Sequence, residues 1–315
     1  MCDDRLLVYV FADKEYEIFV LPYIFFSLKY NKDAIVEVVL DDHDSPLLKS
    51  CRGVEVLYEL YGDRFVIRKS QLTGRNYINL NARRFVEEPE SVAKYIYIGD
   101  IDIMIMDDIK SKHLDLIKEH KIPFSNIIRN PEDSKKRLTG LHFSEYNKLY
   151  PLPDLSDLDL LRNNDEHLLY LIVSRKGYMV PADFRERPEL GVHMSLSRDP
   201  LGRTSGPKQQ TYQRKSIGWG GSGYYQEFQE TITASDFKVL EDHLDVRFKL
   251  FVLILESIIK ERFDDLAKFG LGYLVDRSAF IQSDMYKLKD VLKYNYGIEE
   301  MLAFPLRKEI KSSVK

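Results

Sequence analysis

Short apolar runs that alternate with helical segments most constrain how this chain can fold. Residues 6–11 and 35–40 are two such runs, each followed closely by an acid, and residues 17–30 between them have the pattern of a buried helix. Apolar runs of this length are typical of strands buried on both faces. The pattern predicts an α/β fold with a mostly parallel, Rossmann-type sheet and flanking helices.

Further segments extend this pattern along the chain. Residues 55–58 and 64–68 favour strands, residues 76–94 contain a helix, and residues 109–120 and a segment opening at Asn164 favour two more. Ser235 is expected to cap a long helix running towards residue 269. We therefore expect a catalytic domain over residues 1–230 and a helical C-terminal extension over residues 231–315. Six glycines at residues 202–223 favour a mobile loop.

Composition excludes several classes of protein. The net charge of −4 gives no basic surface for nucleic acid, and two cysteines imply no disulfide framework. The first residues lack the basic start of a secretory signal, and the apolar stretch at residues 248–259 is too short to span a bilayer. We expect a cytoplasmic protein. That apolar stretch is compatible with two kinds of contact. One is peripheral binding to a membrane surface, aided by the basic tail, and the other is a homodimer formed through the C-terminal helices.

Two acids one residue apart follow the apolar run at residues 95–98. If Asp100 and Asp102 lie on a strand, their side chains share one face, because side chains alternate with period two. Two carboxylates this close repel each other unless a cation lies between them. Hard oxygen ligands suit Mg²⁺ or Mn²⁺, and such ions commonly also bind substrate phosphates. The pair predicts a metal-diphosphate site at the end of a strand.

Several motifs around this acidic pair resemble those of GT-A-type nucleotide-sugar glycosyltransferases. The layout is most similar to the lipopolysaccharide galactosyltransferase and glycogenin group, family 8. The motifs are the strand end Phe11-Ala12-Asp13 with Tyr16 beyond it, the helix segment Asn81-Ala82-Arg83-Arg84-Phe85, the D-x-D pair, and Gly191-Val192-His193-Met194-Ser195. The resemblance covers residues 5–200 and implies a GT-A-like fold.

The resemblance also implies roles for individual residues. His193 would complete a Mn²⁺ or Mg²⁺ site with Asp100 and Asp102, while Asp13 and Arg84 would contact the nucleoside end of the donor. Other donor contacts would come from Phe11, Ala12, Tyr16, Ile101 and Arg198. Gly140 and His142 would contact substrate, and Trp219 could stack on the acceptor sugar.

Asp165 and Glu166 are the candidate catalytic acids. If the enzyme inverts the sugar's configuration, one of them would take the acceptor's proton as general base. If it retains configuration, the leaving phosphate can take that proton instead. Both acids also suit the first turn of a helix, where a capping role explains them equally well.

The favoured function is transfer of a hexose from a nucleotide sugar, with UDP as the expected nucleotide, to a glycan or lipid-linked acceptor. One alternative is a nucleotidyltransferase that makes the nucleotide sugar, although the first strand leads into Asp13-Lys14-Glu15 without the glycine-rich loop of that class. The other is a non-catalytic glycan-binding protein, which would leave the paired acids without a role.

Overall fold

The computed structural model describes nine stretches of the chain, and every structural statement below refers to them. These are residues 4–41, 44–49, 51–72, 77–129, 131–188, 190–194, 224–245, 247–249 and 251–252. The predictions for Arg198, Trp219, the glycine-rich loop and residues 253–315 lie outside the described residues.

A five-stranded sheet forms the centre of the described fold, in the order β3-β2-β1-β4-β8. The first four strands run parallel, and β8 runs antiparallel to β4. This arrangement confirms the predicted α/β fold with a mostly parallel sheet. The strands are β1 (Leu6–Ala12), β2 (Ala34–Leu40), β3 (Phe65–Lys69), β4 (Tyr95–Ile98) and β8 (His142–Glu145).

Alternating side chains of β1 enter two hydrophobic cores, one on each face of the sheet. Leu6, Val8 and Val10 lie in one core, and Leu7 and Tyr9 lie in the other. Burial on both faces explains why these strands form unbroken apolar runs in the sequence. Each fully buried aliphatic side chain contributes about 1.5–3 kcal/mol to this packing.

Helices cover both faces. Residues 17–19 form a 3₁₀ turn that leads into α1 (Val20–Tyr30), as the apolar pattern predicts. The strand predicted at residues 55–58 is wrong, because they belong to α2 (Arg52–Tyr61), which buries Val54, Val56 and Leu57 on one side. A four-residue run cannot distinguish a strand from part of an amphipathic helix. The remaining helices of this region are α3 (Arg83–Val86), α4 (Ile109–His120), α5 (Tyr146–Leu149) and α6 (Asp165–Arg175).

Two small antiparallel pairs flank the main sheet. Strand β5 (Ile103–Ile105) pairs with β9 (Gly191–His193), and β6 (Ile128–Arg129) pairs with β7 (Arg137–Leu138). The first pair joins residues that lie far apart in the chain, directly after the acidic motif. The second forms a hairpin next to the start of α6.

The described C-terminal segments pack on α1 and α2. Helix α7 (Tyr224–Thr233) includes the predicted domain boundary at residue 230, and α8 (Ser235–Glu241) follows it. The long helix predicted from Ser235 is wrong in its described part, because α8 already ends at Glu241. The predicted capping role of Ser235 is also wrong: the N-cap position is Ala234, and no side chain caps the helix. Phe248 and Phe251 pack edge-on against Phe19, with ring centroids 6.2 and 5.3 Å away. The start of the apolar stretch thus belongs to the same core as β1.

Within the described residues, no helix combines the length and apolar character needed to cross a bilayer.

Candidate functional site

A cleft of about 240 Å³ lies at the carboxyl ends of β1 and β4. Parallel sheets bind ligands at this edge, where the strands deliver their loops. All but one of its lining residues are among those named from the sequence. They are Phe11, Asp13, Tyr16, Asn81, Arg84, Asp100, Ile101, Asp102, Asp165 and His193.

The turn after β1 forms one end of the cleft. Asp13 Oδ1 accepts hydrogen bonds from the backbone N–H groups of Glu15 and Tyr16, both at 3.0 Å. These bonds fix the turn, and Tyr16 and Phe11 both line the cleft. Burial raises the pKa of the Asp13 carboxyl, and the two backbone donors partly offset that rise. The end offers two aromatic rings and an acceptor group, which suits a nucleobase or ribose.

The acidic motif lies in a turn rather than on a strand. Strand β4 ends at Ile98, and a hydrogen bond of 3.1 Å from Ile103 N to Asp100 O closes the turn before β5 begins. The prediction that strand alternation places Asp100 and Asp102 on one face is therefore wrong. Both acids still line the same cleft, because the turn projects from the edge of the sheet.

The β5–β9 pair brings His193 to Asp102. His193 Nε2 lies 3.1 Å from Asp102 Oδ2, and both side chains are largely buried. Met194 N also donates to Asp102 O at 2.7 Å, which continues the pairing past the strand ends. Gly191 allows this close approach: its φ is +152°, and a Cβ there would lie 1.9 Å from Met104 O. The backbone at residue 191 therefore requires glycine.

Arg84 bridges two carboxylates across the cleft. Its Nη1 donates to Asp100 Oδ1, and its Nη2 donates to Asp165 Oδ2 at 3.2 Å. The guanidinium is buried, which opposes its charge, but Asp100 and Asp165 outweigh that effect and raise the pKa of Arg84. Arg84 thus carries positive charge between the two acids, and among the described residues that line the cleft it is the only Lys or Arg.

Neighbouring residues hold the short helix α3 in place. Arg83, next to Arg84, pairs with Asp41 at the end of β2, and its guanidinium lies 5.7 Å from the centroid of Phe11. After the helix, Glu87 accepts from Arg68 and, at 2.6 Å, from Ser70. These buried contacts tie both ends of α3 to the sheet and so orient Arg84.

The two candidate acids at the start of α6 point in different directions. Asn164 caps the helix by accepting from Glu166 N at 3.0 Å, as the sequence pattern suggests. Asp165 faces the cleft and pairs with Arg84. Glu166 instead pairs with Arg129 of the β6–β7 hairpin at 2.7 Å. Burial raises the pKa of Glu166, and Arg129 counteracts the rise. The structure brings Asp165 into the site and does not bring Glu166 there.

Gly140 and His142, predicted to contact substrate, lie at different depths. A Cβ on Gly140 would come within 2.7 Å of Arg84 Nη2 and 3.5 Å of Asp100 Oδ1, so Gly140 lies directly behind that ion pair. His142 is buried on β8 with its ring centroid 5.0 Å from that of Phe124, and burial lowers its pKa to about 3. It does not line the cleft. Although β8 is an edge strand of the main sheet, the side chain of residue 142 is buried in the packing against Phe124.

Asn81 lines the cleft, although no separate role was expected for it from the sequence. It stands three residues before Arg84, at the start of the turn that becomes α3. Residues three apart share a face of a helix, so a search for partners of Arg84 at this spacing identifies it.

The three residues expected to hold a cation, Asp100, Asp102 and His193, are only partly brought together. Within the described residues, no three His, Cys, Asp or Glu side chains are gathered closely enough to hold a metal ion. Asp102 and His193 supply one carboxylate and one imidazole side by side, while Asp100 is engaged by Arg84. Mg²⁺ and similar ions at phosphate sites are commonly held by one or two carboxylates together with substrate phosphates and water. The donor types suit such an ion: Asp102 and His193 would be its protein ligands, and Asp100 would be a third.

Comparisons with known proteins give structural likeness only. No protein-family model matches the chain, and no curated protein sequence matches it. Staphylococcus aureus TarS is 12% identical with a TM-score of 0.40, over 82% of this chain and 53% of TarS. A structure of TarS 1-349 is 12% identical with a TM-score of 0.39, over 92% of this chain and 90% of that one.

The glycosyltransferase GlyE of Streptococcus pneumoniae TIGR4 is 15% identical with a TM-score of 0.36, over 54% of this chain and 43% of GlyE. The chain thus spans about half the length of the first TarS structure and less than half that of GlyE. Because these TM-scores lie below 0.5, the likeness does not assign an activity to this chain.

Proposed function

We propose that this protein is a metal-dependent glycosyltransferase that moves a hexose from a nucleotide sugar, with UDP as the nucleotide, to a glycan or glycolipid acceptor. One observation carries the proposal: a single cleft combines an aromatic and carboxylate end with a carboxylate–imidazole pair, a guanidinium and a further carboxylate. That combination of groups matches what a nucleoside, a diphosphate and a reacting sugar would require.

The nucleoside would lie against Phe11 and Tyr16, with Asp13 accepting from the base or ribose. Asp13 is suited to this because the turn after β1 already fixes its orientation. Aromatic rings gain from stacking on a nucleobase, whose faces are apolar.

The diphosphate would lie between Asp102, His193 and Arg84. As the glycosidic bond breaks, negative charge builds up on the leaving nucleoside diphosphate. A divalent cation held by Asp102, His193 and Asp100 would neutralise part of that charge when bound. Arg84 would add hydrogen bonds to phosphate oxygens through its planar fork of donors.

Asp165, which lines the cleft, would act as general base. Its carboxylate would accept the proton of the acceptor hydroxyl while that oxygen bonds to the anomeric carbon and the bond to the diphosphate breaks. This role implies inversion at the anomeric carbon. Glu166 does not take part, because it pairs with Arg129 outside the cleft.

A nucleotidyltransferase would require a different first loop. That class cradles a triphosphate on a glycine-rich turn after the first strand, whereas here the Asp13 side chain closes the turn and lines the cleft. The position next to β1 therefore favours a nucleoside contact over a triphosphate cradle.

A panel of nucleotide sugars tests the proposal. The protein is incubated with each donor and Mn²⁺, and released nucleoside diphosphate and pyrophosphate are measured separately. We expect slow, Mn²⁺-dependent release of nucleoside diphosphate from at least one donor, lost in Asp102→Asn. Consumption of a nucleoside triphosphate with pyrophosphate release would support the nucleotidyltransferase instead. No release from any donor would argue against transfer.

A further inference from the structure

The structure points to a competition that concerns Asp100. We propose that Arg84 competes with the divalent cation for Asp100, so that a cation binds firmly only together with the diphosphate of the donor. The inference rests on the proposed function and deepens it. It assigns to Arg84 the role of a positioning residue that sets the order in which cation and donor enter.

The first step is the bridging contact itself. One guanidinium engages Asp100 through Nη1 and Asp165 through Nη2, so it holds a carboxylate from each side of the cleft. Asp102 and His193 lie together without Asp100, and no three-ligand cluster exists among the described side chains. Arg84 thus occupies the carboxylate that would make the two-ligand pair a three-ligand site.

The second step is that packing keeps Arg84 in this position. Its guanidinium lies 4.8 Å from the centroid of the Phe85 ring. Gly140 lies against Nη2 so closely that a Cβ would come within 2.7 Å. The side chain is only 14% exposed, which leaves it few alternative positions in solvent. A free cation approaching Asp100 therefore meets a fixed positive charge.

The third step is the effect of the diphosphate. Phosphate oxygens accept paired hydrogen bonds from guanidinium and also coordinate divalent cations. A diphosphate in the cleft can take over the donors of Arg84 and ligate the cation at the same time. Asp100 then exchanges Arg84 for the cation, so that both Asp100 and Arg84 keep a partner of opposite charge. Cation and diphosphate should therefore bind cooperatively, each raising the affinity of the other by the same factor.

The test titrates the full-length protein with Mn²⁺ in the absence of nucleotide. The electron paramagnetic resonance signal of the free ion reports how much Mn²⁺ is bound. Wild type is compared with Arg84→Gln, and each measurement is repeated with saturating UDP. The control is Arg129→Gln, which also removes one positive charge beside an acid of α6 but pairs with Glu166. The single variant Asp100→Asn and the double variant Arg84→Gln/Asp100→Asn complete a cycle that isolates the contact.

We expect Arg84→Gln to bind Mn²⁺ alone about tenfold more tightly than wild type, and UDP to raise Mn²⁺ affinity much less than in wild type. Arg129→Gln should match wild type, and Asp100→Asn in the double variant should remove the gain. If Arg84→Gln proves unstable to heat, Arg84→Met, which also removes the positive charge but keeps an unbranched side chain, should still bind Mn²⁺ more tightly than wild type.

Two results would overturn the inference in distinguishable ways. If wild type binds Mn²⁺ with UDP but the Arg84 variants bind Mn²⁺ alone no better than wild type, the competition is absent and the proposed function stands. If wild type binds neither Mn²⁺ nor UDP, alone or together, both the inference and the proposed function fail.

Discussion

His193 Nε2 lies 3.1 Å from Asp102 Oδ2, although 91 residues separate them in the chain. The short β5–β9 pair creates this proximity, with Ile103 directly opposite His193 in its register. The pair depends on Gly191, whose backbone passes against Met104. A two-strand contact of three residues each therefore builds the centre of the candidate site.

Gly191→Ala should disrupt both the strand pair and the site. A Cβ 1.9 Å from Met104 O forces the strands apart, which we expect to cost on the order of 2–4 kcal/mol and to weaken binding of Mn²⁺ with UDP. Urea unfolding and calorimetric titration measure the two effects. Gly62→Ala is the matched control, because residue 62 also has positive φ but has open space around it. Equal behaviour of the two variants would contradict the role assigned to Gly191.

Asp165→Asn and Glu166→Gln should separate catalysis from stability. Asp165 faces the cleft, so Asp165→Asn should lower kcat about 10²- to 10⁴-fold, the usual worth of a general base, while the protein stays folded. Glu166 pairs with Arg129, so Glu166→Gln should lower the free energy of unfolding by about 1–3 kcal/mol and leave kcat close to wild type. The checks are steady-state kinetics and urea unfolding. The opposite pattern would exchange the two roles.

The sequence predicts most of this cleft because its residues follow strand ends. Asp13, Asp100 and Asp102 each come directly after an apolar run, and the carboxyl ends of parallel strands meet at one edge of a sheet. Strand periodicity nevertheless gave the wrong reason for the proximity of the two acids, which lie in a turn.

Side-chain direction accounts for the residues that sequence alone misplaced. Asp165 and Glu166 look equivalent in the sequence because they are adjacent at the start of α6. A helix turns by about 100° per residue, so Glu166 points away from the cleft and pairs with Arg129. His142 looks like a polar residue near a glycine, yet β8 is covered on both faces. The ion pair between Arg84 and Asp100 has no sequence signature, because it depends on how α3 lies against the sheet.

Two buried histidines should make the protein sensitive to mild acid. Burial lowers the pKa of His142 to about 3. The pKa of His113 also falls to about 3, mainly because of burial and further because of electrostatic repulsion from Arg187 and His142. The unfolded chain takes up protons at these residues near pH 6.5, whereas the folded protein does not. Stability is therefore fully present above about pH 6.5 and falls as pH drops towards 3.

Each histidine contributes a slope approaching about 1.4 kcal/mol per pH unit within that window. Urea unfolding at pH 7.5 and pH 5 measures the loss for wild type and for His142→Leu. We expect the variant to lose clearly less stability than wild type between the two pH values. The same loss in both proteins would show that His142 is already protonated in the folded state.

Binding of UDP in the presence of Mn²⁺ tests the central claim most directly. Calorimetric titration of the full-length protein compares wild type with Asp102→Asn, and with Asp157→Asn as a control that loses only an exposed ion pair to Arg175. The account predicts Mn²⁺-dependent UDP binding in wild type and Asp157→Asn, and its loss in Asp102→Asn. Binding that is equal in all three proteins, or that does not require Mn²⁺, would contradict it.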